Sequence, residues 1–219
     1  MEVIEAIRRR RSIRGYKTEP VPMEILKKVL KTAARSPSAM NTQPWQVTIL
    51  TGKMLDQVRK ANVEMLRTRA EALQRISYHG DYRQRQVDLA IRIFNLMQIA
   101  REDKEKRAQW LERGFRFFDA PAAIILSIDS SVPESLALLD IGVFCQSICL
   151  TALEYGLGTC IEDQGIAFPD VLRRFVGIPQ SKKIVISIAI GYPDWDFPIN
   201  KLETDREYID KFTTWCGFD

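Results

Sequence analysis

Ala122-Ala123-Ile124-Ile125-Leu126-Ser127-Ile128, followed after Pro133 by the run from Glu134 to Tyr155, decides the class of fold. The first piece is nearly unbroken apolar residue, rich in isoleucine and short, as in a strand buried on both faces. The second is too long for a strand and reads as a long buried helix. Working outward, Lys183 to Ile190 repeats the buried-strand pattern and Val47 to Leu50 is a short β-branched run. Val3, Ile4 and Ile7 share one face of a short helix over Glu2 to Arg9. Pro20-Val21-Pro22 breaks the chain before a second helix, which carries Leu26, Val29, Leu30 and Ala33 at helical spacing. That helix is expected to end near Ser36-Pro37, because a proline pushes its predecessor out of the α region. Lys53 to Phe118 is helical in character and basic, with interleaved aromatics such as Phe94, Trp110 and Phe118. Strands separated by long helices argue for an α/β or α+β protein with one sheet between helical layers. No repeat or linker divides residues 1–219, so one domain is expected.

Composition excludes several classes of function. With 219 residues and 46% hydrophobic content the chain can bury a real core, and a net charge of +4 is too mild to argue for nucleic acid. The four cysteines (Cys145, Cys149, Cys160 and Cys216) form no CxxC pair and His79 is the single histidine, so no metal site is expected. The thiols read as reduced and the protein as cytoplasmic. The opening MEVIEAIRRRRSIRGY has charges where an apolar h-region would sit, so no signal peptide is expected. The apolar stretch Ile141 to Leu153, bounded by Asp140 and Glu154, is too short to span a bilayer.

Familiar catalytic hardware is also missing. Gly156-Leu157-Gly158 is half of a dinucleotide fingerprint, but Ile161 stands where the third glycine belongs and a helix, not a strand, precedes it. Gly52-Lys53 lacks a glycine-rich loop, and neither GxSxG nor HExxH occurs. A serine or cysteine triad would rest wholly on His79, which sits in a polar stretch and reads as exposed. If the protein is an enzyme, a cofactor supplies the chemistry.

Two segments carry more information. In Arg8-Arg9-Arg10-Arg11-Ser12-Ile13-Arg14, guanidinium forks and a hydroxyl at a helix end suit an anion; the same charges also complement a helix C-terminus. Ser36-Pro37-Ser38-Ala39-Met40-Asn41-Thr42-Gln43-Pro44-Trp45 sets small and amide residues between prolines, suiting a flat polar ligand edge or an ordinary interhelix loop. In this order and spacing the pair resembles the FMN-dependent nitroreductase family, whose members open with an RRSIR-type segment and follow it with a PSxxNxQPW-type loop. The helix ending in Tyr-Gly-Leu-Gly-Thr, the Ile-Gly-Tyr-Pro after the last strand, and a tail with Arg206, Ile209 and Trp215 extend the resemblance over nearly the whole chain.

The resemblance implies an α+β sandwich with a mainly antiparallel sheet flanked by helices, and an intertwined homodimer binding FMN at its interface. It implies that Arg10, Arg14 and Arg206 hold the FMN phosphate, with Arg11 on the polar edge of the ring and Ser12 on the ribityl chain or ring edge. Pro37, Ser38, Ala39, Asn41 and Gln43 would come from the second subunit. Cys160, Ile161 and Glu162 would pass close to the ring, with Asp163 possible if the turn slips by one residue. NADH or NADPH would deliver hydride and a small aromatic acceptor would take it in ping-pong order, with no side chain as obligatory acid or base. Positive charge at one ring edge would favour the reduced form.

Two features depart from the family pattern: Thr204 stands where many relatives have a basic residue, with Lys201 as a substitute, and Lys53–Phe118 has no residue-level match. That segment is expected to cover the site and set substrate choice, its arginines and aromatics favouring a nitrobenzoate, unless it is simply a solvated helical pair. A reductive dehalogenase or flavin reductase on the same fold is an alternative reading. A basic nucleic-acid-binding protein is a remote one, opposed by the acids Asp56, Glu64, Glu71 and Asp88.

Overall fold

The computed structural model describes residues 1–73 and 77–218, so residues 74–76 of the expected helical stretch lie outside the described residues. Its sheet has four strands: β1 (Gln46–Thr51), β2 (Ala122–Asp129), β3 (Gly158–Glu162) and β4 (Lys182–Gly191). They run in the order β1-β2-β4-β3 and every neighbouring pair is antiparallel. The fold class is α+β, as the resemblance implied.

Both strands read as buried are central. In β2, Ala122, Ile124, Leu126 and Ile128 point to one face and Ala123 and Ile125 to the other, with Ala123 opposite Ala189 in the register of β4. On the first face lie α2 (Met23–Ala33), through Leu26, Val29 and Ala33, and α6 (Glu134–Glu154), through Ile141, Phe144, Cys145 and Ile148. On the second lie α3 (Gly52–Thr68), through Leu55 and Val58, α5 (Lys104–Phe115), through Phe115, and α7 (Pro169–Val176), through Val171 and Leu172. Each buried Val, Leu, Ile or Phe among them contributes about 1.5–3 kcal/mol relative to exposure, so these two faces set the architecture.

Local endings explain where the expectations shift. α2 stops at Ala33, three residues before the expected end, because Ser36 Oγ donates back to the Ala33 carbonyl at 2.7 Å and caps it. α6 spans Glu134–Glu154, as expected, and Asp140 lies within it. Its carboxylate is buried inside the helix and accepts the Ala39 N–H at 3.2 Å. Among the described residues α6 is the one helix long and apolar enough, by length and composition, to cross a membrane, yet its inner face packs on the sheet.

Lys53–Phe118 resolves into α3, α4 (Gly80–Leu96) and α5. His79 is exposed as the residue preceding α4. α4 buries none of its residues. It leans on the tail through Arg85–Glu207 at 3.3 Å and Arg92–Asp205 at 2.9 Å, and Arg92 also donates to the Glu203 carbonyl.

Candidate functional site

After α1 (Val3–Arg9) the chain turns extended at Arg10, with φ −60° and ψ 123°. Residues 10–16 then run beside β3: Ser12 bridges Thr159 in parallel sense, and the Ile13 N–H donates to the Thr159 carbonyl at 2.9 Å. From the other side Asn200 clamps the same stretch. Its Oδ1 accepts the N–H groups of Arg14 (2.9 Å) and Gly15 (3.2 Å), while its Nδ2 donates to the Gly15 carbonyl (2.7 Å). The backbone of the arginine segment is thus fixed while its side chains leave in two directions.

One direction is a cleft of about 420 Å³ lined by Arg8, Arg10, Arg11, Glu203, Thr204 and Arg206, with Ile7 at its edge. Arg11 pairs with Glu203 at 2.9 Å, and Arg206 is braced by the Thr204 hydroxyl at 2.8 Å. Thr204, the departure from the family pattern, therefore orients the tail arginine. Lys201 is exposed and is not among the lining residues. Arg10 Nε is buried without a hydrogen-bond partner among the described residues, a donor whose desolvation is uncompensated unless an acceptor arrives.

The other direction is a cleft of about 290 Å³ lined by Arg14, Ile93, Trp110, Leu111, Phe118 and residues 160–164. The Arg14 guanidinium lies over the Phe118 ring at 5.7 Å, and Trp110 tilts against Phe118 at 6.3 Å. At its floor Glu162 is buried. Its Oε2 accepts the Gly165 N–H at 2.7 Å, Ser187 donates to its Oε1, and burial pushes its carboxyl up to about 7. Burial likewise pushes the Cys160 thiol up to about 11, against the pull of Arg14, so this sulfur stays protonated near neutral pH.

The wall of this cleft contains an unusual turn. Phe117, Phe118 and Asp119 all have left-handed backbone, with φ of 55°, 52° and 59°, at roughly 1–2 kcal/mol per residue for L-amino acids. Arg59 donates to the carbonyls of Arg116 (3.0 Å) and Ala120, and Arg116 grips Asp119 at 2.7 Å. Burial opposes ionisation of Asp119, but the Arg116 hydrogen bond and the charges of Arg113, Arg116 and Arg59 hold its carboxyl below the usual range. Two glycines close the contact. A Cβ on Gly165 would stand 2.2 Å from the Phe117 ring, and one on Gly114 would stand 1.8 Å from Gln164.

The loop 36–45 sits elsewhere, on α6. Ser36 Oγ lies 2.7 Å from Ser147 Oγ, Ala39 is held by Asp140, and Trp45 stacks on Phe144 at 4.7 Å. Met40, Asn41 and Gln43 have φ of 48°, 58° and 47°, held by a Gln43 N–H to Ser38 Oγ bond of 3.0 Å. Pro37, Asn41 and Gln43 are exposed, and no residue of 36–45 lines either cleft.

The structure therefore brings Arg10, Arg11 and Arg206 together, and separately Arg14, Cys160, Ile161, Glu162 and Asp163, with Ser12 on the stretch between. Sequence reasoning did not single out Ile93, Leu111 and Gln164 for the site; Arg8 stood only within the arginine run, and Trp110 and Phe118 only among the aromatics of the covering segment. The aromatic spacing along α5 was the available signal for the wall.

Three comparisons bear on this arrangement. The family model described as "Nitroreductase family" matches residues 7–192. The chain is 33% identical over 216 residues to a chloronitrobenzene nitroreductase of Comamonas testosteroni, covering 96% of this chain and 95% of the relative. It is 31% identical over 214 residues to a 4-nitrobenzoate reductase of Pseudomonas putida, covering 96% and 93%. A crystal structure of the FMN and NADPH-dependent nitroreductase NfnB from Sphigopyxis sp. strain HMH superposes with a TM-score of 0.93 at 27% identity, covering 100% of both chains.

Proposed function

Because the chain belongs to the nitroreductase family, we propose that it is an FMN-dependent oxidoreductase that passes electrons from NADH or NADPH to small nitroaromatic acceptors. The observation that carries this reading is the pair of clefts at the two ends of one fixed segment. Arg10 and Arg14 are four residues of extended chain apart, roughly 13 Å at about 3.3 Å per residue. A ligand with a phosphate at one end and a flat ring at the other suits a cationic cleft and an aromatic-walled one so separated. The unpaired Arg10 Nε supports the fit at the phosphate end, where Arg206 and Arg11 add charge.

In this reading Arg14, rather than Arg11, takes the ring edge, because Arg14 shares its cleft with residues 160–164. FMN, when bound, supplies the hydride transfer in both half-reactions. The chain's own residues bind and orient: Arg14 places a fixed positive charge at the ring edge, β3 aims the backbone of residues 161–163, and Trp110 with Phe118 keeps water from one side. No side chain is asked to shuttle a proton.

The working unit is a homodimer in which each chain folds as one domain. Ile4, Leu139, Tyr208, Phe212 and Trp215 are exposed apolar residues on α1, α6 and the tail, and α6 is apolar on its outer face as well as its inner. A second copy covering that face would also bring its loop 36–45, with Pro37, Ser38, Ala39, Asn41 and Gln43, to this chain's site. The acceptor is a neutral nitroaromatic. Three of the arginines of Lys53–Phe118 that were expected to select a carboxylate are paired with acids: Arg85 with Glu207, Arg92 with Asp205 and Arg113 with Asp119.

An anaerobic absorbance titration tests the reading. Oxidised-flavin bands in the purified protein that bleach with NADH or NADPH and return with nitrobenzene are expected. A colourless protein that takes up no added FMN would refute it.

A further inference from the structure

We propose that Arg113 is a positioning residue that fixes Arg14 at the flavin edge, acting through the left-handed turn Phe117–Asp119. The inference rests on the reading that Arg14 faces the ring of bound FMN. Arg113 is on α5, lining a neighbouring cavity on the far side of Trp110, and it does not line the Arg14 cleft. Its guanidinium nevertheless holds the Arg14 carbonyl and the turn beneath the Arg14 side chain, while Asn200 holds the Arg14 N–H. Nη2 donates to the Arg14 carbonyl at 3.0 Å and to the Phe118 carbonyl at 3.3 Å, and Nη1 pairs with Asp119 at 3.0 Å. Its own plane is seated on the Phe197 ring at 4.7 Å. One planar fork thus ties the backbone of Arg14 to the backbone of the residue whose ring underlies the Arg14 guanidinium.

That tie is what a mobile side chain needs. Arg14 makes no salt bridge among the described residues, so its guanidinium is positioned by the Phe118 ring and by where its backbone stands. Phe118 presents that ring only because its backbone is left-handed, a conformation that has to be enforced from outside. Arg113 enforces it from one side, and Arg59 and Arg116 from the other. A lysine at position 113 would keep the charge but not the planar fork that spans two carbonyls and a carboxylate.

The test uses the FMN-loaded protein and three readouts: FMN dissociation constant by fluorescence, midpoint potential by anaerobic dye equilibration, and melting temperature. Arg113→Met is expected to bind oxidised FMN within about threefold of the parent. Its reduced form should lose about tenfold in relative affinity, a fall of about 30 mV for a two-electron couple. Arg113→Lys should fall equally, and Arg14→Met at least as far. The double variant Arg14→Met/Arg113→Met should fall no further than Arg14→Met alone, because both act through one charge.

A potential for Arg113→Lys equal to the parent's would overturn the proposal, since charge alone would then suffice. So would additive shifts in the double variant. If Arg113→Met does not fold, Phe118→Leu removes the shelf at similar volume and should lower the potential in the same direction; no change there also overturns the proposal. A parent protein that takes up no FMN, or an Arg14→Met variant with an unmoved potential, refutes the underlying placement of Arg14 and the proposal with it.

Discussion

Replacing Gly165 with alanine inserts one methyl group where the chain has left no room. The new Cβ would stand 2.2 Å from Phe117 Cε1, 2.5 Å from Cδ1 and 2.7 Å from Cζ. Carbon atoms pack at about 3.5–4.0 Å, so the ring must retreat by more than 1 Å or the 162–166 loop must lift. Neither yields easily. Phe117 is fully buried and left-handed, and the Gly165 carbonyl and N–H are held by Asn62 (2.9 Å) and Glu162 (2.7 Å). Overpacking of this kind costs about 1–3 kcal/mol, and the linked loop and turn place Gly165→Ala near the upper end. Gly165 has no positive φ, so alanine also gains about 0.4–1 kcal/mol from a less flexible unfolded chain. The net expectation is a loss of about 2 kcal/mol, roughly a thirtyfold change in the folding equilibrium. Urea denaturation at fixed protein concentration should show the midpoint falling by about 1 M for an m-value near 2 kcal/mol/M. Shrinking the ring should relieve the clash, so Gly165→Ala/Phe117→Leu should cost less than the sum of its single variants. A single-variant cost below about 0.5 kcal/mol, or strict additivity in the pair, would refute the steric argument.

Other consequences are equally direct. The Glu162 carboxyl titrates at about 7 when folded against 4.5 as its reference value, so the folded state holds the proton more tightly. The stability this contributes is fully present below about pH 4.5 and is lost as pH rises through 7, an effect of up to about 3 kcal/mol. Glu162→Gln should flatten that slope in urea melts at pH 5 and pH 8, and an unchanged slope would place the titration elsewhere. Arg206→Met and Arg10→Met should each weaken FMN binding by about 10- to 100-fold, the scale of a charge-assisted hydrogen bond, and reduce its salt dependence; fluorescence titration at two salt concentrations checks both. Nitrobenzene should match or exceed 4-nitrobenzoate in kcat/KM, and a marked preference for the acid would show that a cation faces the acceptor.

What was legible in the sequence follows from how much of each element's shape its own residues determine. β2, β4 and α6 announce themselves because burial on both faces demands unbroken apolar runs, and these survive any tertiary context. β3 was not recognised as a strand: Gly158-Thr159-Cys160-Ile161-Glu162 is five residues long, and its polar members are buried by partners far away in sequence, such as Ser187 under Glu162. α7, eight residues opened by Pro169, was likewise unassigned. The arginine segment could be found from its composition and order, but its division into two clefts could not. That division depends on the segment lying along β3 and under Asn200, which no local pattern states. The turn at Phe117–Asp119 is the extreme case. Its residue types argue against its conformation, which is dictated by three arginines and a glycine notch.

α4 has a different kind of consequence. A helix that buries none of its residues, and that meets the tail through Arg85 and Arg92, contributes almost nothing to the core. Apart from Ile93, which lines the Arg14 cleft, and the arginines that hold the tail, its sequence can therefore drift while the sheet keeps its shape. Seen over generations rather than turnovers, α4 is the part of the molecule free to explore new chemistry at its surface, with the two arginines that dock it as its chief inheritance.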